Sequence, residues 1–415
     1  MTSSTHATKT NLSHKLVFIL GLISLLPITG SLFNPAVKVE FQLSPLSDNS
    51  NKTGLDNNKS AKDKSAKNKA FFHSSFTSHE STLEVHSPTA IELANNNVMA
   101  FWYGGTREGH QDVSIYQNIW DNSTQQWGQD KELITRLFTR NGTSRYIRKL
   151  GNPVVTRGPD NSIWLFYVSV SVGGWAGSAI NLTQSHDEGH TWSSPKRLIT
   201  SPFLNLSTLI KGSAIHYADG SIGLPVYHEL LGKFGELLKL NSQGEVIHKT
   251  RLSWGQTSLQ PIIFPTSEKN AIAMMRYQGP PPNRILIQHS SDAGQSWSAV
   301  KKSTLANPGA GIIGLTLNDN HDLLLAYNND PQERDDLSLA ISQDAGETWQ
   351  LAQVVEKNVL VPPDKSQQFS YPWLLQTQNG NIHLLYTWHK SHIKHAVFNK
   401  SWLLSNNSKT AGKSQ

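Results

Sequence analysis

The chain has 415 residues, no cysteine and a formal net charge of +6. Its length admits one large all-β domain or two average domains, and the missing cysteines exclude disulfides and thiolate metal sites. Residues 1–70 carry nine Lys against four acidic residues, so the positive charge belongs to a solvated tail and the rest is near neutral. A nucleic-acid partner is therefore not expected.

Lys9 and Lys15 precede a short apolar run, Leu16 to Leu26, which is followed by Pro27, Gly30 and Ser31. A positive n-region, an apolar stretch and small residues form an export pattern. Extended to Phe33 the run reaches 18 residues, the lower limit for a spanning helix. Residues 1–33 thus read as either a cleaved signal peptide or a retained signal-anchor. The protein is expected to be exported: held at a membrane by this segment, or released to a periplasmic or extracellular space. Residues 34–70 are dominated by Lys, Asn and Ser, including "SDNSNKTGLDNNKSAKDKSAKNKA". They read as a disordered linker, and residues 404–415 as a disordered tail.

From Phe71 onward, short aliphatic and aromatic runs alternate with Gly, Asn, Asp and Pro turns, an all-β pattern. Three phrases repeat: "SHDEGHTW", "SSDAGQSW" and "SQDAGETW". Their tryptophans, Trp192, Trp297 and Trp349, lie 105 and then 52 residues apart. A period near 50 residues indicates propeller blades, with one degenerate repeat at "NSQGE" near Glu245. A second phrase, strand–turn–strand, begins near residues 86, 151, 212, 260, 309 and 371. Six copies predict a six-bladed β-propeller over residues 71–403, with the segment near Phe71–Thr82 completing the last blade. The Asp–x–Gly element reads as masonry: Asp caps its own turn amides and Gly supplies a positive φ. Each following Trp is expected to be largely buried over its turn.

In a propeller, the starts of the inner strands and the ends of the second strands converge on a central mouth. The starting residues include His86, Asn152, Lys211, Gln260 and Tyr371. The later ones include Arg107, Glu108, Asp112, Trp175, His228, Arg276, Asn328, Arg334, Trp388 and Lys390. Such a rim suits an anionic sugar, because Arg pairs bidentately with carboxylate and aromatic rings stack on sugar faces. Ordinary loop polarity is the competing reading for each residue. No cofactor is expected: no glycine-rich phosphate loop occurs, and the histidines of "HKSHIKH" fall on both faces of a strand rather than forming a metal site.

The three Asp boxes, with "FWYGGTREGHQDV", "GNPVV", "SLQPII", "LLLAYNND", "FSYPWLLQ" and "YTWHKSHIKHAVF", give residues 80–403 a resemblance to the six-bladed, Asp-box sialidase or neuraminidase superfamily, in its predicted-neuraminidase branch. The resemblance implies a glycoside hydrolase of the exo-α-sialidase kind acting on an acidic glycan. Sialidases of the family hold the substrate carboxylate with three Arg, use an Asp as acid/base, and attack with a Tyr activated by a Glu. Carried over, Tyr371 resembles the nucleophile, Asp112 the acid/base, and Arg276 and Arg334 the second and third Arg. The chain departs from the pattern twice. His86 stands where the first Arg would open blade I, and Gln260 replaces the activating Glu, unless another acid such as Glu229 or Glu108 substitutes. Tyr has a pKa of about 10 and needs a base, which an amide cannot be. Three functions stay open: hydrolysis of an acidic sugar, uronate lysis with His86 or Tyr371 as base, and glycan binding without turnover.

Overall fold

The computed structural model describes residues 39–43, 69–79, 81–201, 205, 207–318, 321–358 and 367–405. Six antiparallel sheets of four or five strands follow one another along the chain. We number them blades I to VI. Their innermost segments are Glu84–Glu92, Lys149–Arg157, Leu209–Ile210 with Ile215–His216, Ser258–Pro265, Ile313–Thr316 and Phe369–Gln376. Each inner strand touches the next, and the last touches the first, so the ring closes. The outermost strand of blade VI is Phe72–Phe76, paired with His392–Phe398. The N-terminal end of the propeller thereby fastens its C-terminal blade, as the sequence predicted.

Second strands such as Val98–Gly105 and Ile163–Val170 are buried along their whole length. A blade covers both faces of its sheet with its neighbours, which is why these strands lack polar alternation. One apolar core runs from Val85 to Leu403 through all six blades. The helix Arg136–Thr143 is inserted between blades I and II and capped by Thr135, whose hydroxyl accepts from the Phe138 amide at 3.0 Å.

The Asp boxes are turns between third and fourth strands. In each, an Asp accepts from the backbone and side chain of the Thr or Ser four residues on: Asp187 from Thr191, Asp292 from Ser296, Asp344 from Thr348. Gly189, Gly294 and Gly346 all have positive φ. A Cβ on these glycines would strike Met99, Leu237 and Ile272 of the preceding blade, so the boxes are also inter-blade wedges. Trp192, Trp297 and Trp349 each pack over their turn with a minority of their surface exposed. Each indole N–H donates to the box glycine's carbonyl, which keeps one edge of the ring at the surface. The degenerate repeat lies where expected: Asn241 replaces Asp and its side chain accepts from the Gln243 and Glu245 amides.

One boundary needs correction. Within the span read as a linker, residues 40–43 dock on the propeller. Phe41 is 1 % exposed, stacks on Tyr217 at 5.2 Å, and its amide donates to the Glu268 carbonyl at 2.7 Å. The alternating "VEFQL" around it is a short strand signal that the surrounding Lys, Asn and Ser concealed. The Leu16–Leu26 run and residues 406–415 lie outside the described residues. Among the described residues no helix is long and apolar enough to cross a membrane.

Candidate functional site in the propeller mouth

Four inner strands begin with the same irregularity. At Ser87-Pro88, Asn152-Pro153, Gln260-Pro261 and Tyr371-Pro372 the register slips. The residue before each proline has a positive φ, between 43° and 55°. Proline cannot donate to the ladder and bars its predecessor from the right-handed helical region. The result is a bulge, which re-aims one side chain out of the sheet. In blades III and V, Gly212 and Gly311 take this place. A Cβ on Gly311 would lie 3.0 Å from Gln260 Oε1 and 3.1 Å from Tyr371 Cδ1, so this glycine leaves the slot in which the two side chains meet.

Gln260 is buried. Its Oε1 accepts from Arg276 Nη1 and its Nε2 donates to the Tyr227 hydroxyl, each at 3.4 Å. Asn152 Nδ2 donates to the same hydroxyl at 3.4 Å. Arg276 retains a buried Nε with no partner among the described residues. Arg334 donates to the Gly309 carbonyl at 2.7 Å and to Gln368 Oε1 at 3.3 Å, and it interacts with the Tyr371 side chain. Burial, and then the charge of Arg276, lower the Arg334 pKa: two guanidiniums share one neighbourhood.

His86 sits edge-on to Tyr371 with ring centroids 5.3 Å apart, and 5.7 Å from Tyr103. Its Nε2 is 3.9 Å from Glu108 Oε2, too far for a hydrogen bond, and neither ring nitrogen has a hydrogen-bond partner among the described residues. Burial, then the charges of Lys390 and Arg334, lower its pKa to about 3. His86 is therefore neutral and does not replace a cation. Lys149 lies over the Trp175 ring at 3.8 Å and feels both Glu108 and Glu229. Burial raises the Glu229 pKa, with Arg276 opposing.

Five predicted site residues lie apart from this cluster. Asp112 belongs to an exposed loop. Its carboxylate takes the Thr106 amide at 3.0 Å, the Thr106 hydroxyl at 2.5 Å and His110 Nδ1 at 2.7 Å. Desolvation raises its pKa, but these hydrogen bonds outweigh it and bring it down to about 2. An acid/base carboxyl would need the opposite shift. Arg107, in the same loop, is exposed and no side-chain contact joins it to Tyr371. Asn328 is fully buried and ties blade V to blade VI, donating to the Phe369 carbonyl at 3.0 Å. Trp388 stacks on His389 at 3.8 Å and meets Phe76 of the closing strand. His228 stacks on Phe234 at 4.7 Å and accepts from the Leu231 amide at 3.1 Å. These residues were chosen by rim position, but side-chain direction decided their fate. Conversely, Tyr103, Tyr227 and Lys149 were missed. Tyr103 and Arg276 stand opposite equivalent residues, His86 and Leu259, in blades I and IV, so "FWY" and "MMR" end on equivalent positions.

Among solved structures, a Dyadobacter fermentans protein of unknown function is similar, with 14% identity and TM-score 0.63 over 79% of this chain and 99% of that one. So is the Hadza microbial sialidase Hz136, with 14% identity and TM-score 0.64 over 78% and 68%. A leech intramolecular trans-sialidase, solved with 2,7-anhydro-Neu5Ac, has 12% identity and TM-score 0.62 over 80% and 70%. At such identities the likeness shows the fold alone. No curated protein matches the sequence. Residues 96–384 match the family model described as a BNR repeat-like domain, a match that runs from blade I into blade VI, and on it the chain belongs to the BNR repeat-like family, with the six-bladed propeller of the sialidases.

Proposed function

We propose that the mouth binds the carboxylate of an acidic sugar and that the protein is an exported, sialidase-like glycoside hydrolase with an altered catalytic set. The observation that carries this reading is the convergence of the Arg276 and Arg334 guanidiniums beside Tyr371. Charge-assisted pairing to two Arg contributes about 1.5–3 kcal/mol per bond. Tyr371 is the candidate nucleophile and Asp112 the candidate acid/base, but neither is activated in this resting geometry. Gln260 is no proton acceptor, and Asp112 is held ionised by its own loop. Activity on ordinary sialosides is therefore expected to be low. Export, through residues 1–33, and attachment to a membrane are part of the same proposal.

The two Arg beside Tyr371, with His86 edge-on to it at 5.3 Å, favour a second reading, uronate lysis. Two Arg would neutralise the carboxylate while Tyr371 or His86 removes the adjacent ring proton. One experiment separates the readings. A fluorogenic sialoside and uronate oligosaccharides are incubated with the wild type, Tyr371→Phe and Arg276→Ala. Reducing ends without an unsaturated product support hydrolysis, and an unsaturated uronate supports lysis. Binding without either product leaves a glycan-binding propeller. Equal binding of neutral and acidic sugars would sink the carboxylate clamp itself.

A further inference from the structure

Lys211 is fully buried, where lysine is almost never found unpaired. It lies on blade III beside the Gly212 that stands in for the bulge. Blades III and VI are opposite in the closed ring. Lys211 Nζ nonetheless reaches blade VI, donating to the Pro372 carbonyl at 3.2 Å and lying 5.3 Å from the Trp373 ring centroid. The side chain therefore spans the central channel. Tyr371 precedes the proline that Lys211 contacts, and the residues that follow along both strands, Ser213, Ala214, Trp373 and Leu374 among others, line a cavity of about 510 Å³. Among the described residues no carboxylate pairs with Lys211, and burial draws its pKa down to about 7.

We propose that Lys211 is a positioning residue that holds the Tyr371–Pro372 bulge from across the channel. The proposal rests on the reading of Tyr371 as a functional group of the mouth. A bulge leaves backbone groups without ladder partners, and a buried carbonyl needs one. Lys211 supplies it at the Pro372–Trp373 peptide, one residue beyond Tyr371, and the Tyr371 φ of 51° has to be maintained by its surroundings. Trp373, the next residue, is fixed by its own bond to the Ala90 carbonyl at 3.0 Å. Two of the tripeptide's three residues are thus anchored to other blades, and Tyr371 is left free to face Arg334. An unpaired buried ammonium costs stability, so its retention points to a gain other than stability.

The test uses the full chain with Lys211→Met, which keeps the stem but loses donor and charge, and Lys211→Gln, which keeps an N–H donor. Melting temperature, crystallographic Tyr371 geometry, and calorimetric binding of N-acetylneuraminic acid and trigalacturonate are measured. The Met variant is expected to melt no lower than wild type. Tyr371 should leave the left-handed region, and affinity for whichever probe the wild type binds should fall about tenfold or more, the loss of one hydrogen bond. The Gln variant should keep the Tyr371 geometry. A Met variant with wild-type Tyr371 and affinity overturns the proposal. So does an unfolded Met variant accompanied by a Gln variant of lower melting temperature and unaltered Tyr371, because Lys211 would then serve stability alone. If the wild type binds neither probe, the functional reading fails, and the Tyr371 geometry of the variants still decides the positioning role.

Discussion

Gln260→Glu tests whether the amide is what holds Tyr371 inactive. The new carboxylate would occupy positions 3.4 Å from Arg276 Nη1 and 3.4 Å from the Tyr227 hydroxyl. Tyr227 would turn its proton to the carboxylate while still accepting from Asn152, so no polar group is stranded. The ion pair with Arg276 offsets much of the desolvation, and the folding cost should stay within about 1 kcal/mol. The catalytic gain is that of a positioned base, roughly 10²–10⁴-fold. Arg276 stabilises the carboxylate and weakens it as a base, so we expect the low end, about 10² in kcat on a fluorogenic sialoside. KM should rise, because the new charge competes with the substrate carboxylate for Arg276. Initial rates with melting temperatures measure both, and adding Tyr371→Phe should erase the gain. A folded Gln260→Glu protein that binds the sialoside but turns it over no faster than wild type would refute Tyr371 as the nucleophile.

Arg276→Ala should weaken a carboxylated sugar roughly ten- to hundredfold, as loss of a charge-assisted bond implies, and leave neutral sugars unchanged by titration calorimetry. Phe41→Ala should destabilise by about 2–3 kcal/mol in denaturant melts, less than a core Phe, because the short docked segment can detach instead of leaving a cavity. His383 Nδ1 and His395 Nε2 lie 2.9 Å apart in full burial. Desolvation lowers His383 to about 4 and His395 well below its usual value. Both bind fewer protons folded than unfolded, so stability should fall as pH drops from about 6.5 toward 4, and His383→Leu with His395→Leu should flatten that slope. Lys211, depressed to about 7, likewise binds its proton less tightly when folded. Wild-type stability should therefore rise between about pH 7 and 10 relative to Lys211→Met.

The ring was legible in the sequence because its signals are local and repeated. Box residues bond within four positions of one another, so they leave a fixed spacing whatever surrounds them. The degenerate turn was found by arithmetic on that spacing. Phe41 was not, because its partner Tyr217 is distant in sequence and only one aromatic residue marks the segment.

The mouth divides the same way. Tyr371, Gln260 and Arg276 stand on strands whose register and proline bulges are written in the chain, whereas Arg334 lies in the loop before the strand Asp336–Ser342 and was named through the family resemblance. Ionisation is not written in the chain. Asp112 reads as an acid/base by motif, yet two neighbours within six residues commit its carboxylate to the charged form. His86 stands in the place of the family's first Arg, and burial beside Lys390 and Arg334 keeps it neutral. In both cases the residue type is compatible with the family's chemistry, and the surroundings move its proton the wrong way. Lys211 extends the point: on the rim phrase it is one more polar residue, and only its reach across the channel to Pro372 separates it from the rest. The changes at positions 86 and 260 are thus read from the sequence, whereas the ionisation of His86 and Asp112 is set by burial in one case and by loop hydrogen bonds in the other, and both are properties of the folded ring.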